Sequence, residues 1–503
     1  MDLEKTRDDE AKAVTPPSLS SDTEAGDSAI NERHLLRKLD LAIVPGVTLL
    51  YLLSFLDRSN VANAKLDGLT KDLHMTGNQY LTGLTLFFVG YISLEIAWNI
   101  VLKLVGPRLW LPTITLIWGI ITTLQGLTQN MTGFFIVRTV LGIAEGGLFP
   151  GVVFYLSMWY KRSERQYRVA LLFSAASLAG AFGGILAYVR LHSSTQGYQL
   201  THIQGIGFMK GVAGYNGWRW IFIIEGIATC VIAVAAYWFI HPWPAESKFL
   251  TPAEKAHVHA RLAADSDSSD KEPFQWSNVM AAIADPKVWL YALAYHTLSL
   301  PLYTLSLFLP SIISALGYSA ASAQLLTIPP YVFATGLTIL YAVVSEKLTR
   351  RAVFIAGSSI FAIVGYAILL SNHDPVKRPG VSYLGTFFAA GGIYPAVALT
   401  LSWPAVNVSA QTKRATANAL QITIGNLGAV IGTQIYRSQD TPRYVVGHSV
   451  ALAYLVANVV VVGVLFLVLR GENRRKERLL AEGGQSLAEK ENGDRDVRWR
   501  FTY

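Results

Sequence analysis

Uninterrupted apolar runs of roughly twenty residues, the length that crosses a bilayer as a helix, recur along the chain between short polar turns. They predict helices near residues 41–63, 79–102, 109–128, 132–156, 168–190 and 218–240, then near 287–313, 322–345, 352–371, 381–404, 415–436 and 448–470. The runs are continuous and do not alternate, which argues against a transmembrane barrel of short strands. The expected architecture is an all-α polytopic membrane protein with twelve transmembrane helices in two six-helix halves. Its parts are a disordered N-terminal tail (1–38), a first half (39–240), a polar central loop (241–286), a second half (287–470) and a C-terminal tail (471–503).

Charge sharpens this picture. Lys103 and Arg108, Lys161 to Arg168, Lys347 to Arg351, Lys413 and Arg414, and Arg470 to Arg478 all fall on one side of the helix pattern. The opposite turns, such as 129–131 and 314–321, carry few basic residues or none. The positive-inside rule then puts both termini and the central loop in the cytoplasm, and the plasma membrane is the expected location. Much of the net charge of +8 is thereby a topology signal, and no nucleic-acid partner is expected. Of the 503 residues 52% are hydrophobic and 15% charged, against about 25% charged in soluble domains. Met1 to Arg37 is polar and acidic, so no cleavable signal peptide is expected. Within the central loop, Thr251-Pro-Ala-Glu254 reads as a capping box with proline at the first helical position, starting a short helix over about 252–263, with a Ser/Asp-rich linker at 264–272. The loop 191–217 is Gly-rich and chemically silent. Asn130-Met-Thr132 matches a glycosylation sequon but sits hard against the membrane.

One segment repeats. Arg138-Thr-Val-Leu-Gly-Ile-Ala-Glu145-Gly-Gly-Leu-Phe-Pro150 is echoed by Tyr383 to Pro395, which ends Ala390-Gly-Gly-Ile-Tyr-Pro395. The backbone-shaping residues match, but Ala390 stands opposite Glu145 and Tyr383 opposite Arg138. Gly180, Gly183 and Gly184 of the fifth helix are echoed by Gly425, Gly428 and Gly432 of the eleventh. Two parallel halves of six helices are one transporter plan.

These residues also carry a family resemblance: Phe55-Leu-Asp57-Arg58-Ser-Asn60 in the first helix, Arg138 to Gly151 in the fourth, Gly217-Trp-Arg-Trp-Ile-Phe-Ile-Ile-Glu225-Gly226 in the sixth, Pro329-Pro330 in the eighth and Gly425-Asn426-Leu427-Gly428 in the eleventh. Over about residues 40–475 the chain resembles the major facilitator superfamily, in particular its anion:cation symporter branch and the fungal allantoate-permease-like members. The resemblance implies the major facilitator fold and substrates such as allantoate, nicotinate, pantothenate, biotin or small peptides. The superfamily's loop signature is degraded to Lys103-Leu-Val-Gly-Pro-Arg108 in the first half. It is kept in part as Ser345-Glu346-Lys-Leu-Thr-Arg350-Arg351 in the second, where Glu346, Arg350 and Arg351 are the expected gating residues. The fifth helix has Ala181-Phe182-Gly183-Gly184 where drug/proton antiporters often carry a Gly-Pro-x-x-Gly-Gly element.

Ionisable groups at membrane depth are costly and mark function by default. Arg58 is the candidate for a substrate carboxylate, with a fixed ion pair or outward snorkelling as the structural alternative. Asp57 and Glu145 are the candidate proton-coupling sites, and in related symporters the equivalent positions are implicated in that role. Arg138 lies about 10 Å from Glu145 along one helix face, too far for a direct bridge. It either contacts substrate or braces its helix. Tyr91, His296 and Asn426 are further candidate substrate contacts, and His296 is equally a satisfied core histidine. Glu225 is expected to pair with Arg219, and Glu95 to join the cytoplasmic latch near Lys103. No Walker loop, metal-ligand cluster or cofactor motif appears, and the single Cys230 excludes an internal disulfide. The chain is therefore expected to be no enzyme and to need no cofactor or metal. Its expected partners are a small organic anion, protons and the lipid bilayer, and it is expected to work as a monomer. The leading expectation is a proton-coupled importer. An exporter of a fungal metabolite or toxin on the same scaffold is the alternative, because direction is not written in a fold. A non-transporting nutrient sensor is a third.

Overall fold

A computed structural model describes residues 30–192, 214–265, 275–482, 494 and 496–503. Most of the tail 1–38, most of the loop 191–217 and most of the linker 264–272 lie outside the described residues. The first half comprises α1 (Glu32–Leu66), α2 (Gly77–Val105), α3 (Pro107–Gly126), α4 (Met131–Ser157), α5 (Arg162–His192) and α6 (Gly217–Phe239). The second comprises α7 (Pro286–Ser314), α8 (Ala320–Leu348), α9 (Arg351–Ser371), α10 (Pro379–Asn407), α11 (Gln411–Gly432) and α12 (Val445–Ala481). Among the described residues ten of these are long and apolar enough to cross a membrane, or eleven with α2, which bends by 51° between Gly77–Glu95 and Ala97–Val105. The remaining one, α11, carries Lys413, Arg414, Asn418, Gln421 and Asn426.

Side chains start the helices where the sequence offers caps. Asn31 accepts from the amides of Arg33 and His34, Thr76 and Gln79 form a reciprocal capping box, and Asp285 accepts from Lys287 one residue before Pro286 opens α7. Leu41, Leu104, Trp238 and Leu467 stand exposed on the outer surface, an apolar exterior that suits hydrocarbon and not water.

The internal repeat is visible in the packing. α1 lies on α5 as α7 lies on α11, α2 on α4 as α8 on α10, and α3 on α6 as α9 on α12. Across the halves, α5 packs on α8 and α10, α2 on α11, and α1 on α7. Glycines set the closest approaches. A Cβ on Gly184 of α5 would stand 2.6 Å from the Gln324 carbonyl oxygen of α8, and one on Gly428 of α11 would stand 2.6 Å from the His296 carbonyl oxygen of α7. Small residues at these points let backbones meet where lipid supplies no hydrophobic driving force.

The two ends of the bundle differ. At the end bearing the basic turns, a cleft of about 1140 Å³, counting its open mouth, lies between the halves. Asn99, Pro150, Arg165, Leu401, Arg414 and Ile422 line it. At the other end α2 and α11 are tied by Thr85 and Thr433 hydroxyls 2.7 Å apart and by Gln434 donating to Thr85 at 2.6 Å. The cleft between the halves therefore lies at the basic end.

Two extramembrane pieces brace that end. Thr251 and Glu254 exchange capping hydrogen bonds at 3.2 and 2.8 Å and start a helix, Pro252–Asp265. It is pinned to the first half by Lys38–Glu254 at 2.8 Å and Arg261–Glu164 at 2.5 Å, and it brings Leu262 to the cleft. Burial pushes the Glu254 carboxyl up, but Lys38 and the Thr251 cap outweigh it and hold the group below its ordinary range. On the second half, α12 runs past the expected membrane boundary to Ala481, and part of the expected tail folds back. Asn473 exchanges two hydrogen bonds with the Phe501 backbone, Asn407 two with Thr502, and Lys413 bridges Asp285 and Asp494 at 3.0 and 2.6 Å. The segment thus pairs with Asn473 and Lys476 of α12, with Asn407 of α10 and with Lys413 of α11.

Candidate functional site

The centre of the site is a buried stretch of α1. Ser54 and Arg58 are four residues apart, one helical turn, and so share a face. That face meets α4. Arg58 Nη2 donates to Glu145 Oε2 at 2.9 Å, and Ser54 Oγ donates to the same oxygen at 3.0 Å. The other guanidinium branch crosses to the second half, where Nη1 donates to the Tyr303 hydroxyl of α7 at 3.0 Å. Arg58 is 3% exposed and Glu145 fully buried. The guanidinium also sits among rings, with Cζ 5.1 Å from the Tyr91 centroid, 5.2 Å from Phe87 and 5.5 Å from Tyr303. Cation–π contacts of this kind strengthen when desolvated. Glu145 Oε1 has no hydrogen-bond partner.

Asp57 faces the other way, as adjacent helical residues must. Its Oδ2 accepts from Trp118 Nε1 of α3 at 2.8 Å and from Thr122 at 3.3 Å. Glu225 of α6 lies beside it, near enough for the two acids to act on each other electrostatically. Asn60, one turn along α1, donates to both Glu225 oxygens at 2.9 Å. The expected Glu225–Arg219 pair is not formed. Arg219 instead donates to the carbonyls of Gly126 and Thr128, at 3.1 and 2.6 Å, and lies over Trp218. The fork of a guanidinium near a helix end finds free carbonyls closer than a carboxylate two turns inside.

Arg138 is fully buried, with Cζ 4.7 Å from the Phe87 centroid and neither Nε nor Nη1 hydrogen-bonded. It forms no bridge with Glu145, in keeping with seven residues of separation on one helix. Tyr91 reaches the Arg58 cage. Asn426 does not, since it lies with Thr423 beside the buried carboxyl of Glu95, where α2 meets α11. Glu95 is therefore correctly placed at the interface of the halves and not in a latch by Lys103. The bend of α2 just after it explains why counting residues from the loop misplaces it. His296 is not part of the cluster either. Its Nδ1 lies 2.9 Å from the Ile424 carbonyl and its ring 5.7 Å from Tyr454 of α12, on the far side of α7.

At the basic end Glu346 faces Arg168 of α5 and Arg351 of α9, and Gln166 of α5 donates to Ser345 of α8 at 3.2 Å. Arg351 is buried beside Tyr291, whereas Arg350 is exposed at the start of α9. Among the described residues no three His, Cys, Asp or Glu side chains converge as a metal site.

Reading the sequence missed Ser54, Tyr303 and Trp118 as members of the site. Ser54 had a signal, its one-turn spacing from Arg58. Tyr303 and Trp118 had none, because tyrosines and tryptophans recur throughout the chain as interfacial and core residues.

The family model "Major Facilitator Superfamily" matches residues 47–433. The MFS-type transporter cnsO of Penicillium expansum is 37% identical over 473 residues, covering 92% of this chain and 87% of that protein. The high-affinity nicotinic acid transporter of Saccharomyces cerevisiae is 31% identical over 449 residues, covering 89% and 80%. Among solved structures, the proton:xylose symporter XylE bound to 6-bromo-6-deoxy-D-glucose superposes with a TM-score of 0.62 at 15% identity, over 85% of this chain and 96% of that one.

Proposed function

Since the chain belongs to the major facilitator superfamily, we propose that it is a secondary active symporter that carries a small organic anion together with protons by alternating access. In this reading Arg58 receives the substrate carboxylate, and Glu145 and Asp57 are the protonatable groups. The observation that carries it is the buried Arg58–Glu145 pair, 2.9 Å apart, with the same guanidinium bonded to Tyr303 of the opposite half. Glu145 occupies Arg58 when no anion is bound. A proton on Glu145 releases the guanidinium, and an incoming carboxylate takes its place. Proton and anion then favour each other's binding, which is the condition for coupling. Tyr303 reports the exchange to α7, so the state of the charge site bears on how the halves sit together. Arg138 supplies a second buried cation on the same side of the substrate, Tyr91 walls the cage, and Glu346 with Arg351 governs the basic end.

Energetics fit coupling. Moving a monoanion inward against a negative-inside potential costs about 2.3 kcal/mol per 100 mV. One co-transported proton makes the step electrically neutral and a second makes it favourable. The positive-inside rule puts the basic end, and with it the open cleft, in the cytoplasm, with the plasma membrane as the location. The substrate class proposed is a small carboxylate such as a vitamin, an allantoate-like nitrogen source or a small peptide. The similarity to a nicotinic acid transporter supports this range.

Uptake of a radiolabelled panel headed by nicotinate, in cells held near pH 5 and near pH 7.5 with and without an uncoupler, tests the reading on either side of the span where perturbed carboxyls titrate. Accumulation that rises in acid and collapses with the uncoupler supports it. Uptake indifferent to both excludes coupling, and faster loss from preloaded cells identifies an exporter. Glu145→Gln should abolish proton-driven accumulation while leaving exchange of labelled for unlabelled substrate. Accumulation that survives the change removes Glu145 from the mechanism.

A further inference from the structure

We infer that Asp57 and Glu225 form a carboxyl–carboxylate dyad that holds one shared proton, a second proton store separate from the Arg58–Glu145 switch. Nothing in the transport reading above uses Glu225. Yet it lies buried at 6% exposure, between α1 and α3, bonded to Asn60 on the same turn of α1 that carries Asp57.

The hydrogen-bond donors around the two acids are one short. Asp57 Oδ2 takes hydrogen bonds from Trp118 Nε1 and Thr122 Oγ1, and both Glu225 oxygens take theirs from Asn60 Nδ2. Asp57 Oδ1 has no donor at all. Two carboxyl groups can hydrogen-bond to each other only if one carries a proton, and two charges at that distance in a water-poor core cannot both persist. The missing donor is therefore a proton held between the two side chains. Asn60 is itself fixed, its Oδ1 accepting from Asn63 at 2.8 Å, so the Glu225 carboxyl has a set place on the face of α1 that Asn60 shares with Asp57, three residues before it.

The surrounding charges agree. α3 offers only neutral donors, Trp118 and Thr122. α4 presents Glu145 and Arg138, and α1 presents Arg58, which is turned to Glu145 and Tyr303. Arg58 and Glu145 cancel. Arg138 remains, without a bridging carboxylate. A dyad with one proton carries a single negative charge and balances it, whereas an unprotonated dyad would leave the core one charge in excess. Trp118 and Asn60 are positioning residues in this scheme, and the proton sits on a carboxyl oxygen of Asp57 or Glu225.

The inference rests on the proton-coupled reading for its role in transport, but its readout does not. The test is infrared spectroscopy of the full chain in lipid nanodiscs without substrate, near pH 7.5, where exposed carboxyls are ionised. A protonated-carboxyl carbonyl band should be present and should move on ¹³C-carboxyl labelling of aspartate and glutamate. The same band should be lost in both Asp57→Asn and Glu225→Gln, with no further loss in the double variant, and retained in Glu145→Gln. A band lost in Asp57→Asn but kept in Glu225→Gln overturns the dyad, because Asp57 then holds its proton alone. A wild-type spectrum with no labelled protonated band at that pH overturns it without recourse to variants. Should either variant fail to give a monodisperse protein, the wild-type measurement together with Glu225→Asp decides, because the shorter acid should shift a shared-proton band and leave an unshared one unmoved. Uptake indifferent to pH and uncoupler would sink the symport reading and leave this band in place, so the two fail separately.

Discussion

α4 and α10 are two copies of one segment with different contents. α4 breaks at Gly146–Gly147 into Met131–Glu145 and Leu148–Ser157, while Pro379–Ser402 of α10 runs unbroken through Gly391–Gly392. In both copies the second glycine makes room for a neighbouring helix: a Cβ on Gly147 would lie 2.5 Å from Trp98, and one on Gly392 2.5 Å from the Ser358 carbonyl oxygen. The contents then diverge. Glu145 holds Arg58, whereas its counterpart Ala390 is buried among apolar groups, and in the place of Arg138 stands Tyr383, whose hydroxyl donates to the Leu326 carbonyl at 3.0 Å. Packing is duplicated and chemistry is not. The first half holds the buried charges, and the second supplies the Tyr303 hydroxyl that Arg58 donates to. An asymmetric pair of halves can thus keep a symmetric rocking geometry while only one side handles ions.

The largest effect expected is that of Arg58→Ala, which removes one buried cation from the first half and leaves Glu145 without its partner. Breaking such a pair costs about 3–5 kcal/mol. A thermal-shift assay should show a clear drop in stability, and uptake should fall to background. Arg58→Lys should not restore uptake, since an ammonium cannot span Glu145 and Tyr303 at once. Next in size, Ala390→Glu makes the second half resemble the first. With no arginine opposite, the acid should cost about 3 kcal/mol, read as lost yield of folded protein in fluorescence-detection chromatography. If Ala390→Glu proves neutral, the asymmetry is incidental. Tyr303→Phe should be milder. It deletes one hydrogen bond to a charged group, worth about 1.5–3 kcal/mol of stability, and should lower the melting temperature by less than Arg58→Ala does while uptake persists at a reduced level.

The smallest effect concerns the brace on the second half. Burial pushes Asp285 up, but Lys287 and Lys413 outweigh it and hold the carboxyl below its ordinary range. A depressed carboxylate contributes stability that is complete above its unfolded pKa and lost as pH falls through the folded value. The clamp around Lys413 should therefore survive to below about pH 3.9 and then loosen. Hydrogen exchange of residues 496–503 should accelerate only in that acid window. No acceleration in that window would mean that the segment is held by its Asn407 and Asn473 bonds alone.

Much of the fold was legible in the chain because the bilayer imposes length and polarity on every spanning helix. The ranges near 109–128 and 352–371 lie within about two residues of α3 and α9. The end of α12 was not legible, because Asn473 and Lys476 look like any solvated tail until the returning segment reaches them. Of the site, Arg58, Glu145 and Asp57 stood out as charges in apolar runs. Glu95 stood out equally and was misplaced, because the bend of α2 is invisible in composition. His296 stood out as a polar group on α7, yet helical periodicity does not say which neighbour a face will meet.

The sequence by itself determined that this chain is a two-fold repeated bundle of membrane helices, and that ions are concentrated in its first half, since both follow from where apolar runs begin, end and admit a charge. Only the tertiary structure decided who pairs with whom. Arg58 takes Glu145 and Tyr303, Asp57 takes Trp118 and Thr122, and Arg219 takes two carbonyls. The reason is that partners of a buried charge lie on other helices, 87 residues away for Arg58–Glu145 and 245 for Arg58–Tyr303. Which faces meet is set by glycine contacts and helix bends that act over the whole bundle.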